Sequence, residues 1–163
     1  MTYSSLRDFI AELEKCGELV RVKTPVSTHL EMTEIGTRLI AEGGPAVLFE
    51  NVEDSTTPVL INLFGTVKRV AMGMNKRPEE LRQFGKDLAF LRQPTPPAGL
   101  KEAVEMLPIV KQAMNMRPKT ISKAPCQEVV LRGDDIDLSK IPVQTCWPNE
   151  PAPLITWPLV VTQ

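Results

Sequence analysis

The stretch that decides the fold is THLEMTEIGTRLIAEGGPAVLFE, residues 28–50, because a helix and a buried strand follow one another within it. Thr28 and Glu31 have the spacing of a capping box, which predicts a helix from about residue 29 to Glu42. The sequence Gly-Gly-Pro then ends this helix. The run AVLFE, residues 46–50, is short and apolar and is bounded by turn residues, which is typical of a buried strand.

Toward the N-terminus a similar helix–strand pair is predicted. Ser5 and Asp8 form a second capping-box pattern, and apolar residues follow at helical spacing up to Leu13. Gly17 suits the left-handed position that ends a helix. The run ELVRV, residues 18–22, then predicts a strand.

Beyond the deciding stretch, PVLINLF (residues 58–64) predicts another strand. We interpret GTVKRVAMG (residues 65–73) as a solvated loop or turn, because its glycines and cations only partly resemble a phosphate-binding loop and no G-x-x-x-x-G-K-[ST] occurs. Pro78 is placed as the first residue of a helix. That helix has a predicted buried stripe of Leu81, Phe84, Leu88 and Leu91.

The proline-rich segment QPTPPAG, residues 93–99, breaks the chain. A shorter helix is predicted from about Leu100, and Pro108 is expected to bend or split it. From Lys119 onward CQEVVL, GDDIDL and IPVQT are short extended pieces separated by turn signals, of which Gly133-Asp134-Asp135 is one. We therefore place a domain boundary near residues 120–125, between an α/β domain and the opening of an all-β unit.

Composition excludes several functional classes. The formal net charge is −1, with 19 basic and 20 acidic side chains, so no basic surface for nucleic acid is indicated. The three cysteines are far apart and His29 is the single histidine, which argues against a zinc site. The N-terminus lacks the apolar segment of a signal peptide, and reduced thiols fit the cytoplasm, which is the expected location.

The residues alone offer no self-sufficient active site. His29 lies within a predicted capping box and is expected to be an ordinary surface residue. Cys16, Cys126 and Cys146 lack a second histidine that could serve as the base of a catalytic thiol. No G-x-S-x-G elbow is present, and the acidic pairs are explained by a helix N-terminus and a turn.

Four stretches together resemble one family. They are LRDFIAELEKCGELVRV, THLEMTEIGTRLIAEGGPAVLFENV, PVLINLFGTVKRVAMGM and APCQEVVLRGDDIDLSKIPVQTCWPNEPAPLITWPLVVT. They resemble the N-terminal region of the UbiD family of carboxy-lyases, and within it the branch that decarboxylates 3-octaprenyl-4-hydroxybenzoate in ubiquinone biosynthesis. The likeness runs in order over nearly the whole chain.

The resemblance implies a mixed-sheet α/β domain in residues 1–125, followed in residues 126–163 by the first strands of a split β-barrel of flavin-reductase type. Family members use prenylated FMN with a divalent metal, typically Mn²⁺, and K⁺. Their metal-binding and acid–base residues correspond to positions after Gln163, so no catalytic or metal-binding residue carries over. Thr156 does match a cofactor-adjacent threonine: the resemblance implies that it offers a hydroxyl to the flavin, with Trp157 as apolar wall.

The resemblance also implies a polyprenyl-4-hydroxybenzoate substrate, a homo-oligomeric full-length enzyme and proximity to the inner membrane face because of the lipid-like substrate. The final run LVVTQ predicts a strand without a partner, so we expect the chain to be a fragment that is inactive alone and binds no flavin or metal. The alternatives are a non-catalytic binding or regulatory module derived from the N-terminal domain, and a small flavin-binding protein.

Overall fold

The computed structural model describes residues 3–93, 96–115, 118 and 120–155. Its helices and strands, in chain order, are α1 (Leu6–Lys15), β1 (Leu19–Val22), α2 (Glu31–Glu42), β2 (Ala46–Phe49), β3 (Val59–Ile61), α3 (Val67–Gly73), α4 (Leu81–Arg92) and α5 (Leu100–Asn115). They belong to two compact units. The first contains the described residues up to Lys76 and those from Asp137 onward, and the second runs from Arg77 to Ile136.

A three-stranded mixed sheet in the order β1-β2-β3 forms the centre of the first unit. β1 pairs parallel to β2, with Leu19 opposite Ala46, and β3 pairs antiparallel to β2. Parallel neighbours require a crossover connection, and α2 supplies it. The predicted α/β class with a mixed sheet is therefore confirmed.

The central strand β2 is covered on both faces. Val47 and Phe49 belong to a core cluster that includes Met32 of α2. Ala46 belongs to a second cluster with Phe9 and Leu13 of α1. Because successive side chains of a strand point to opposite faces, this short strand joins two helical layers. The sequence of β2 is apolar throughout because both of its faces are covered.

Both ends of α1 agree with the sequence prediction. The Ser5 side chain accepts a hydrogen bond from the Asp8 backbone N–H, and the Asp8 carboxylate accepts from the Ser5 N–H in return. Gly17, just after the C-cap, has a φ of 72°. This left-handed conformation costs glycine little, so the helix ends there.

The start of α2 differs from the prediction. The helix begins at Glu31, its N-cap is Leu30 with a φ of 66°, and no side chain caps it. The Glu31 carboxylate accepts from the Ser27 N–H at 2.8 Å, one residue before the predicted partner Thr28. The backbone carbonyl of Thr28 instead accepts from the Thr145 N–H at 3.1 Å. A long-range pairing thus displaces the local cap, and the capping-box prediction at Thr28 is wrong.

The loop prediction for residues 65–73 is also wrong. The Thr66 side chain accepts from the Arg69 backbone N–H and caps α3, a helix of 7 residues. Arg69 and Ala71 are buried. The strand before it is shorter than predicted, since β3 ends at Ile61 and Asn62 has a φ of 54°.

The second unit contains α4 and α5, and none of its described side chains is buried. A short 3₁₀ turn, Pro78–Glu80, leads into α4, which confirms the position of Pro78 near a helix start. The predicted stripe on α4 is only partly buried, and Leu88 is exposed. The helix α5 runs over 16 residues through Pro108, so it is neither short nor split.

The extended pieces predicted after residue 125 form few strand contacts. Between residues 120 and 155 the structure has three 3₁₀ turns (Pro125–Gln127, Gly133–Asp135 and Leu138–Lys140), and the only strand pairing there is an isolated parallel bridge between Thr145 and His29. The turn at Gly133 is confirmed. The split barrel and the domain boundary near residue 125 stay predictions.

Candidate functional site

Residues 137–155 of the first unit directly precede the predicted cofactor residues in the chain. Thr156 and Trp157 themselves lie outside the described residues, and Ile155 is the last residue before them. The candidate site is therefore built from what surrounds residues 137–155.

Backbone hydrogen bonds attach this segment to the α/β core. The Thr145 N–H donates to the Thr28 carbonyl at 3.1 Å, and the Leu30 N–H donates to the Thr145 carbonyl at 3.0 Å. The Ser55 hydroxyl donates to the Lys140 carbonyl at 3.3 Å. The segment then doubles back, because the Leu154 N–H donates to the Gln144 carbonyl at 3.1 Å. The bonds at Lys140 and Thr145 hold the segment against the core, and the bond from Leu154 folds its C-terminal end back onto the segment itself.

A groove of about 440 Å³ lies between this segment and the core, and we call it the first groove. From residues 137–155 the lining is aliphatic or proline except for Ser139, and the core contributes Thr28 and residues 53–55. The lining residues of the segment are Leu138, Ser139, Ile141, Pro142, Val143, Pro153 and Ile155. A volume of this size is within the range of small-molecule sites.

A second groove of about 280 Å³ adjoins the first. The two grooves share four apolar side chains, which are Ile141, Pro142, Val143 and Ile155. Gln144 and Cys146 line the second groove beyond this shared section.

The acidic side chains that line the first groove come from residues 53 and 54. Glu53 and Asp54 are both exposed, and Asp54 has a φ of 59°. Asp residues adopt this left-handed conformation more readily than most. Nearby, hydrogen bonds from Ser139 lower the pKa of the exposed Asp137 carboxyl.

Glu150 organises the tight turn of the CWPNE sequence at the end of the second groove. Its Oε2 accepts from the Cys146 N–H at 2.6 Å and from the Trp147 N–H at 3.1 Å. Its Oε1 is buried without a hydrogen-bond partner within the described part of the chain. Because two backbone donors hold this carboxylate, the positions of Cys146 and Trp147 depend on it.

Sequence reasoning missed a buried cation outside the grooves. The Arg69 guanidinium donates to Glu18 Oε2 at 3.0 Å and to the carbonyls of Asn62 and Leu63, each at 3.2 Å. Lys68 Nζ lies 2.6 Å from the other Glu18 oxygen, and this contact is the main cause of the lowered pKa of the Glu18 carboxyl.

This cluster joins α3 to the start of β1 and the end of β3. The Arg69 side chain is only 1% exposed, so a phosphate in solution cannot reach its guanidinium. We therefore assign the cluster a structural role. The one sequence signal that could have revealed α3 is Thr66, a residue type that caps helices, directly before the run with Lys68 and Arg69.

Metal ligands do not cluster within the described residues: no group of three or more His, Cys, Asp and Glu side chains there could hold an ion. His29 is exposed, as predicted, and Cys16 is exposed near the end of α1. Of the helices in the described ranges, none is both long and apolar enough to cross a membrane.

The residues of the grooves do not by themselves fit a flavin mononucleotide. A flavin phosphate requires cations or converging backbone N–H groups. The described lining of the first groove contains no Lys or Arg, and its charged side chains are the carboxylates Glu53 and Asp54, which repel phosphate. The grooves therefore offer apolar walls and hydroxyls, and we derive no step through a flavin from them.

Two family models match the chain. Residues 10–88 match the model described as the 3-octaprenyl-4-hydroxybenzoate carboxy-lyase N-terminal domain, UbiD_N. Residues 119–163 match the model described as the Rift-related domain of the same carboxy-lyase, UbiD. The second match contains Thr156, Trp157 and the whole segment from residue 137 to residue 155.

Solved structures agree with the family models. An evolved dimeric form of the UbiD-class enzyme HmfF from Pelotomaculum thermopropionicum, in complex with prFMN, is 27% identical with a TM-score of 0.64, covering 93% of this chain and 30% of that chain. The same enzyme in complex with FMN is 27% identical with a TM-score of 0.62, covering 91% and 28%.

The vanillic acid decarboxylase of Sedimentibacter hydroxybenzoicus in its closed form has the same fold. It is 23% identical with a TM-score of 0.63, and the match covers 90% of this chain and 28% of that chain. The chain thus spans about 30% of the length of the solved chains that it matches.

Proposed function

The chain belongs to the UbiD family of carboxy-lyases, and we propose that it is the N-terminal part of a prenylated-FMN-dependent decarboxylase that acts on a polyprenyl-4-hydroxybenzoate in ubiquinone biosynthesis. The observation that carries the proposal is the pair of family matches, which follow one another along the chain and are both described by the octaprenyl substrate. The HmfF neighbour in complex with prFMN supports the cofactor.

The segment up to Ile155 has a positioning role in this proposal. Its bonds to Thr28 and Leu30 hold it against the α/β core. Thr156 and Trp157 follow it directly, and we propose that they contact the flavin in the whole enzyme, where Mn²⁺ and K⁺ bind to residues outside this chain. The flavin supplies the chemistry of decarboxylation when it is bound.

Further parts of the proposal concern assembly and location. We propose a homo-oligomeric whole enzyme, since one neighbour is described as an evolved dimeric form. We place it in the cytoplasm at the inner membrane face, because a polyprenylated acid partitions into the bilayer. The barrel in residues 126–163, and a boundary to the α/β domain near residue 125, belong to the same proposal.

The test is decarboxylation by the complete gene product produced together with a flavin prenyltransferase. We expect loss of CO₂ from a 3-polyprenyl-4-hydroxybenzoate, measured by liquid chromatography of the phenol, and a flavin absorbance in the purified protein. The 163-residue chain is expected to show neither. An apo protein that turns over no 4-hydroxybenzoate would refute the proposal and favour a non-catalytic module.

A further inference from the structure

We draw no further inference here: the strongest candidate, the stripe of exposed apolar side chains along α5 in the second unit (Leu100, Val104, Leu107 and Met114), carries nothing, because nothing in the described part of the chain shows what covers this helix face.

Discussion

Replacing Arg69 with methionine is expected to destabilise the first unit strongly. The guanidinium is buried and donates to three acceptors, which are Glu18 Oε2 and the carbonyls of Asn62 and Leu63. Methionine keeps much of the apolar stem, so packing changes little. The hydrogen bonds are lost, however, so the carbonyls of Asn62 and Leu63 no longer have the fully buried Arg69 side chain as their donor.

The magnitude follows from the partners left behind. A buried group deprived of its hydrogen-bond partner costs about 1–3 kcal/mol, and breaking a buried ion pair by removing one partner costs about 3–5 kcal/mol. Glu18 is 19% exposed and keeps Lys68, which moderates the electrostatic part. We therefore expect the free energy of unfolding to fall by about 3–4 kcal/mol.

Urea denaturation followed by circular dichroism at 222 nm measures the effect. With an m-value of about 2 kcal/mol/M, the midpoint should fall by about 1.5–2 M. The control is Arg38→Met, because Arg38 pairs with Glu34 on the surface of α2 with 73% of its side chain exposed. Such helix-surface pairs contribute about 0.3–0.5 kcal/mol.

Comparing Arg69→Met with Arg38→Met tests whether the buried hydrogen bonds stabilise the first unit. Arg69→Lys keeps the charge but has a single nitrogen that cannot reach all three acceptors in the same geometry, so an intermediate loss is expected. If Arg69→Met lowers the unfolding free energy by less than about 1 kcal/mol, or no more than Arg38→Met, then the buried hydrogen bonds do not carry the stability assigned to them.

Three further predictions concern the same unit and its neighbour. Gly65→Ala makes the new Cβ clash with Asn62 Oδ1 and should lower the melting temperature. Gly85→Ala meets nothing within 4 Å inside α4 and should stabilise that helix by about 1 kcal/mol; equal effects in calorimetry would contradict this. Ser5→Ala removes the cap of α1 and should cost about 1 kcal/mol, read from the urea midpoint, and no change would show that the cap is energetically silent. The lowered pKa of the Glu18 carboxyl contributes stability that is present above its ordinary value of about 4.3 and is lost as the pH falls through the lower folded value. Below pH 4 Glu18→Gln should therefore lose less further stability than the parent, and parallel acid denaturation curves would refute the linkage.

Local sequence signals predicted the first helix and the sheet well. The cap at Ser5 and the left-handed residue at Gly17 depend on neighbours within a few positions, so the sequence window contains all their causes. The run from Ala46 to Phe49 is apolar because both its faces are covered, and this pattern is visible without the partners.

Predictions failed where distant residues decide the outcome. The cap at Thr28 was displaced because its backbone pairs with Thr145, which no local pattern reveals. From its sequence, Arg69 of α3 is expected to be solvated, because its partner Glu18 lies 51 residues earlier in the chain. Likewise, the grooves bring residues 53–55 against residues 138–143, so sequence reasoning could not assemble them.

The pairing of Thr145 with His29 has a consequence for synthesis on the ribosome. The sheet is complete at Ile61, but the residue that pairs with Thr28 and Leu30 is translated 84 positions later, from 61 to 145. At about 5–20 residues per second, these backbone groups wait about 4–17 s for their partner. During that interval they can pair with other nascent chains. The order of translation therefore leaves this short stretch open to pairing with other chains until Thr145 has been made.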